Sequence, residues 1–279
     1  MPGNDPEIRE VRDYWDANPV AADGIAVPAG SAEFFSAFDA IREAEDCEPY
    51  VYSDMIHGYS ASQGKRVLDV GCGNGYVLSR YARKGANVTG VDLTEKAIEL
   101  SRRRFELEDL SGDFEQIDGV HLPFPDNEFD IVCSMGVLHH IPDPGPTVDE
   151  IYRVLKPDGK IIIMLYYRYS YNNMVVLRLK RLFDRRYRGM SHQEALNRTD
   201  GVDCPLAKVY SRTEARELLH RFSDIQFRLN YLSWRQLFLL PHKAAAIAGR
   251  LLGSPSDTWL ARRLGWNLYI TATKPEQTR

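Results

Sequence analysis

The sequence predicts an α/β protein built on a doubly wound, mostly parallel sheet. Three observations lead there: short β-rich runs alternate with helical windows from Lys65 onward, a glycine-rich turn follows the first run at once, and proline with glycine closes a later helical window. The chain has 279 residues, 44% of them apolar and 27% charged, enough for a core to form without disulfides or metals. Its 20 Gly and 15 Pro follow no period and aromatic residues reach 11%. That composition excludes collagen-like, coiled-coil and wholly disordered chains.

A formal charge of -4 argues against nucleic acid as an obligatory partner. Cys47, Cys72, Cys133 and Cys204 stand far apart with no CxxC pair, so they read as reduced thiols and no metal site is expected. Met1 to Asp16 is polar, acidic and broken by Pro2 and Pro6, which leaves no apolar stretch for a signal peptide. The run Ile161 to Leu165 is too short to cross a bilayer of roughly 30 Å. A cytoplasmic location is the expectation.

Residues 1–62 form an N-terminal helical segment. Ile8, Val11, Tyr14 and Trp15 open a helix, a loop follows with Asn18, Pro19, Gly24, Pro28 and Gly30, and Phe34, Phe35, Phe38 and Ile41 then recur at helical spacing. These aromatics pack a core, or Tyr14 and Trp15 fold over a ligand. Strands are expected at Arg66–Val70, Val88–Asp92, Phe114–Ile117, Phe129–Ser134 and Lys160–Leu165. Thr94 is placed to cap a helix through Ala97, Ile98 and Phe105. A later helix with Val148, Ile151 and Leu155 on one face stops at Pro157-Asp158-Gly159.

The first strand ends in Asp69-Val70-Gly71-Cys72-Gly73-Asn74-Gly75, directly before a helical window from Tyr76 to Arg83. Glycines there let the backbone turn tightly and approach a ligand. The dinucleotide fingerprint G-x-G-x-x-G would need its third glycine where Tyr76 stands. Asp92, closing the second strand, suits a ribose diol, which NAD and S-adenosylmethionine (SAM) both carry.

With the glycine loop, further motifs resemble a class I SAM-dependent methyltransferase, in the flavour of bacterial enzymes acting on small molecules. They are Val67 to Gly75, Gly90-Val91-Asp92-Leu93, Leu122 to Asn127 with Phe129-Asp130, Gly136-Val137-Leu138-His139-His140, and Arg153 to Gly159. Asp158 departs from the family's usual second glycine. The resemblance implies a Rossmann-like, seven-stranded, mostly parallel sheet with SAM as cofactor. It places Asp69, Gly71, Gly73 and Gly75, with Cys72 and Asn74, along the amino acid part of SAM. Asp92 and Leu93 would meet the ribose, Asp118 and Gly119 the adenine, and Met135 and Gly136 the floor under the sulfonium.

The SAM-binding domain would run over residues 63–279. A helix at Ser211–Phe222 and strands at Asp224–Tyr231 and Trp266–Thr273 would complete the sheet, with insertions at about 168–210 and 233–265. The first insertion holds Tyr171 to Arg188, a basic amphipathic helix candidate, and the second holds Leu237 to Leu240 and the apolar stretch Ala244–Leu252. Both lie near the carboxyl ends of the strands, where doubly wound folds bind ligands. With the N-terminal helices they read as a substrate lid, against solvated or oligomer-forming helices or contact with an anionic membrane.

The function expected is methyl transfer to a small natural-product, sugar or lipid-like acceptor, a homo-oligomer being possible. Two alternatives keep the fold, namely intramolecular SAM chemistry and a noncatalytic scaffold. His139 and His140 are the candidate bases, because imidazole titrates near 6.5 and both follow the fourth strand. Neighbouring positions point in different directions, so one is expected to face the methyl, and His140 is chosen. Tyr14, Trp15, Tyr166, Tyr167, Arg168 and Tyr210 are expected in the substrate pocket.

Overall fold

The computed structural model describes residues 6–19, 25–44, 47–48, 50–238, 244, 247–248 and 251–276. Its centre is a seven-strand path formed by β1 (Arg66–Val70), β2 (Asn87–Asp92), β3 (Asp113–Gln116), β4 (Phe129–Met135), β5 (Leu155–Tyr167), β7 (Ser223–Asn230) and β8 (Asn267–Thr273). The order is β3-β2-β1-β4-β5-β8-β7, and a two-residue strand β6 (Val209–Tyr210) joins β5 from the side. The first five strands are parallel, while β8 runs antiparallel to both β5 and β7. The chain reverses direction through the sheet at β1, so the β1 and β4 ends open a crevice.

Alternating side chains divide the core between two faces. Leu68, Val70, Val132, Ile161 and Ile163 pack against Val148 and Ile151 of α6 (Gly145–Val154) and Ala215 of α9 (Arg212–Leu218). On the other face Val67, Val88, Ile131 and Ile162 meet Val77 and Leu78 of α4 (Tyr76–Ala82) and Ile98 and Phe105 of α5 (Glu95–Leu107). Each such fully buried aliphatic side chain contributes about 1.5–3 kcal/mol. Thr94 caps α5 by accepting from the Ala97 amide, and Ser211 with Glu214 forms a capping box at α9.

The N-terminal part forms α1 (Pro6–Ala17), α2 (Ala32–Arg42) and α3 (Tyr50–His57), the last without a counterpart in the sequence reading. Phe34, Phe35 and Phe38 are buried, whereas Ile41 is half exposed. A buried polar knot ties this part to the sheet: Glu48 accepts from Arg42, Ser53 and Tyr269, each at 2.8 Å. The Arg42 guanidinium helps hold the Glu48 carboxyl below its ordinary value against the opposing effect of burial.

Two expectations are corrected. α6 ends at Val154 and β5 begins at Leu155, which pairs with Phe129, so Pro157-Asp158-Gly159 interrupts the start of a strand rather than joining helix to strand. The ladder to β4 slips there, Asp158 sits at φ +61°, and its amide donates to the Lys274 carbonyl at 2.9 Å. The basic segment is also not one helix. A π turn (Asn172–Val176) leads into α7 (Leu177–Phe183), which stops where Asp184 is extended and takes the Arg186 amide at 3.0 Å.

The rest of the first insertion carries α8 (His192–Asn197), and Leu177 and Leu196 pack with Trp266 over the end of β5. The second begins with α10 (Trp234–Phe238) and ends in a short helix (Ala261–Leu264). Gly24, Leu239, Leu240 and much of Ala244–Leu252 lie outside the described residues. Among the described residues no helix is long and apolar enough to cross a membrane.

Candidate active site

The β1–α4 loop has to fold over itself, and its glycines make that possible. Gly71 has φ +81° and Gly73 φ +56°, values that L side chains adopt at a cost. A Cβ at Gly71 would overlap the Val137 side chain, whereas one at Gly73 would meet nothing within 4 Å. Gly71 therefore lets the loop lie against the chain after β4, and Gly73 leaves the backbone open. Gly75 caps α4 and lies against α5, where a Cβ would meet Ser101.

Gly71, Gly73, Asn74, Asp92, Leu93, Gly119, Met135, Gly136, His140, Trp15 and Tyr166 line a single cavity of about 250 Å³ at the crevice. Asp92 Oδ2 accepts from the Gly73 amide at 3.0 Å, and Oδ1 accepts from the Thr94 amide and hydroxyl, both at 3.0 Å. Burial raises its carboxyl above the ordinary value against these hydrogen bonds. Asn74 Nδ2 and Asp69 Oδ1 are buried polar atoms without a partner, and such atoms are costly unless something satisfies them. An acceptor-rich cleft with an orphan donor and a glycine-opened backbone fits the amino acid and ribose of SAM.

His140 sits in a short turn after β4, and its ring lies 4.9 Å from that of Trp15. Its Nδ1 is 2.5 Å from the Leu206 carbonyl. A carbonyl can only accept, so Nδ1 carries the hydrogen and Nε2 keeps its lone pair. Burial lowers the His140 value, which keeps the ring neutral near pH 7. His139 is fully buried, its ring 3.9 Å from Tyr166, and it lies outside the cavity wall.

Several expected residues do not reach the cavity. Cys72 faces the core, 3.6 Å from Ser101 Oγ, and Asp69 lies beneath the loop. Asp118 spends Oδ1 on the amides of Val120 and His121, both at 3.2 Å, capping an exposed turn. Tyr167 and Tyr210 pack against the α6–α9 core, because Tyr167 follows the cavity-facing Tyr166 on one strand and must point to the opposite face. Arg168 pairs with Glu214, and Tyr14 donates to the Asp200 carbonyl at 3.0 Å.

The cavity also recruits residues that the sequence reading passed over: Ile8, Val11 and Pro19 from the N-terminal part, Arg42 from α2, Met164 from β5 and Asp200 from the first insertion. Tyr166 donates its hydroxyl to Asp200 Oδ1 and stacks on Trp266 at 4.3 Å. For Ile8 and Val11 the helical face they share with Trp15 was the available signal.

This strand order, with a glycine loop after β1 and an acid after β2, defines the class I SAM-dependent methyltransferase fold. Residues 68–163 match a family described as a methyltransferase domain, and SAM is the cofactor typical of that family. The chain is similar to ubiquinone biosynthesis O-methyltransferase of Azoarcus sp. (strain BH72), 37% identical over 39% of this chain and 47% of that protein. It is similar to methyltransferase GfsG of Streptomyces halstedii, 34% identical over 56% and 57%, and to 27-O-demethylrifamycin SV methyltransferase of Amycolatopsis mediterranei (strain S699), 38% identical over 36% and 38%. The matches thus span about half the length of these curated relatives. Among solved structures, a SAM-dependent methyltransferase of Methanosarcina mazei shares the fold with a TM-score of 0.56 at 23% identity, over 80% of this chain and 98% of that one.

Proposed function

We propose that the protein transfers a methyl group from SAM to a hydroxyl of a small, partly apolar acceptor. The observation that carries this reading is that Asp92 and the neutral His140 border the same cavity. Gly71, Gly73 and Asn74 would hold the amino acid end of the cofactor, with Asp69 supporting the loop from beneath, Asp92 its ribose hydroxyls, and Met135 with Gly136 the region beneath the sulfonium. When bound, SAM supplies an activated electrophilic methyl.

The protein's own work is then to orient the acceptor oxygen, exclude water and take a proton. Val11, Trp15 and Tyr166 offer apolar and aromatic walls for orientation, and positioning supplies much of the acceleration in such a transfer. His140 Nε2 receives the hydroxyl proton as the oxygen–methyl bond forms. Two of the curated relatives above, named for ubiquinone biosynthesis and for 27-O-demethylrifamycin SV, support a small-molecule acceptor methylated on oxygen. The N-terminal segment 1–62 and the insertions act as a lid over the domain at 63–279.

Turnover with a panel of apolar hydroxylated acceptors tests the proposal. S-adenosylhomocysteine formed in proportion to methylated product is expected. Methylthioadenosine in its place would assign intramolecular SAM chemistry, and no conversion with cofactor bound would favour a scaffold. His140→Ala is expected to lower turnover about 100-fold or more at saturating SAM and acceptor, the usual range for a general base. Unchanged rates from pH 6 to 9 would leave positioning as the whole mechanism.

A further inference from the structure

Asp200 has no place in any motif of the glycine-loop domain, yet it borders the cavity from the end of a short turn (Arg198–Asp200) in the first insertion. Its surroundings are built rather than incidental. Tyr166 donates to Oδ1 and Thr199 Oγ1 donates to Oδ2 at 3.1 Å, while Tyr14 of α1 donates to the Asp200 carbonyl at 3.0 Å. Three elements, β5, the insertion and the N-terminal helix, therefore converge on one residue. Polar side-chain atoms of Asp200, His140 and Cys204 lie within 4.8 Å of one another.

We propose that Asp200 is the positioning residue of His140, supplied by the insertion, and that its carboxylate holds the charge which the imidazole gains during methyl transfer. This rests on the reading of His140 as the base.

The argument is one of charge balance. When the acceptor oxygen bonds to the methyl and the sulfur–methyl bond breaks, the bonding pair returns to sulfur and the sulfonium charge disappears. The hydroxyl proton moves to His140 Nε2, so one positive charge has moved from sulfur to the imidazole. Nothing is oxidised or reduced. The other groups against the ring cannot neutralise that charge: His139 is a neutral ring at 4.3 Å, Trp15 an indole at 4.9 Å, and Cys204 a thiol kept protonated by burial. Leu206 offers a carbonyl to Nδ1. Asp200 alone among these is a carboxyl group; burial raises its value above the ordinary one, while His140 and the hydrogen bonds from Tyr166 and Thr199 pull it back toward the anion, and in a buried setting that charge acts strongly.

The arrangement also explains the insertion's role in the site. Tyr14 and Tyr166 seat Asp200, so the base acquires its partner only where α1 and the insertion close on the strand ends.

Asp200→Asn keeps the shape and removes the charge, and Asp200→Glu restores it. The titration midpoint of His140, followed by nitrogen NMR of histidine-labelled protein and assigned with His140→Gln, is expected to fall by about 1–3 pH units in Asp200→Asn, the usual effect of one nearby carboxylate. Asp200→Glu is expected to recover at least half of that shift. The acidic limb of kcat should move with it, with kcat lower by roughly 10- to 100-fold and SAM affinity unchanged. An unmoved His140 midpoint in correctly folded Asp200→Asn would overturn the proposal. So would stoichiometric zinc in the purified protein that disappears in the variant, because His140, Asp200 and Cys204 would then be ligands. If His140→Ala retains full activity, the base reading fails, while the NMR titration still decides separately whether Asp200 governs His140.

Discussion

Asp92 accepts three hydrogen bonds from its own chain, two from Thr94 and one from Gly73, so this residue shapes the loop as well as offering lone pairs to a diol. Removing one charge-assisted hydrogen bond costs about 1.5–3 kcal/mol. Asp92→Ala is accordingly expected to weaken SAM and S-adenosylhomocysteine together, by roughly ten-fold or more, in titration calorimetry. Equal affinity in both proteins, or tight NAD binding, would falsify the reading of the strand ends. Asp92 and Gly71 were legible in the sequence because a strand end and a tight turn leave a local signature. Asp200 was not. It stands in an insertion without a motif, and only folding brings it beside His140.

At the level of single elements, the β1–α4 loop makes a testable contrast between two glycines. Gly73→Ala meets open space and incurs only the left-handed backbone cost, about 1–2 kcal/mol. Gly71→Ala incurs the same cost and also drives its Cβ into Val137. Thermal melts are expected to show clearly the larger loss for Gly71→Ala, accompanied by loss of SAM binding. Equal losses would contradict the packing argument. The first insertion supports a second prediction. Its cavity-facing end carries Asp200, while Arg185, Arg186 and Arg188 are exposed, so neutralising those three arginines should leave turnover intact and little protein should sediment with anionic liposomes. Strong sedimentation abolished by the triple change would make this face a membrane contact. The basic run suggested one long helix by periodicity, but periodicity does not register that Asp184 takes the Arg186 amide and ends it.

Across the whole molecule, the buried knot around Glu48 joins the N-terminal helices to the sheet and sets a pH response. His57 is fully buried, and desolvation lowers its value to about 4 against the opposing pull of Glu48. As pH falls through 6.5 the unfolded chain takes a proton that folded His57 refuses, so its contribution to stability is whole above 6.5 and is lost progressively toward 4. At about 1.4 kcal/mol per unit, that amounts to roughly 3 kcal/mol. Urea unfolding at pH 7 and pH 4 should show the wild type losing about that much relative to His57→Gln, and a constant difference would exclude the effect. The sequence by itself determined the alternating strands, the glycine loop, the acid closing β2 and the cap at Thr94, because each arises from contacts within a few residues. The resemblance of its motifs also implied a seven-stranded, mostly parallel sheet. Only the tertiary structure decided that Tyr166 faces the cavity while Tyr167 and Tyr210 face the core, that His140 rather than His139 reaches the wall, and that Asp118 caps a turn. Those outcomes depend on which face of a strand or turn is covered by segments distant in sequence, and burial by distant segments leaves no local periodicity to read.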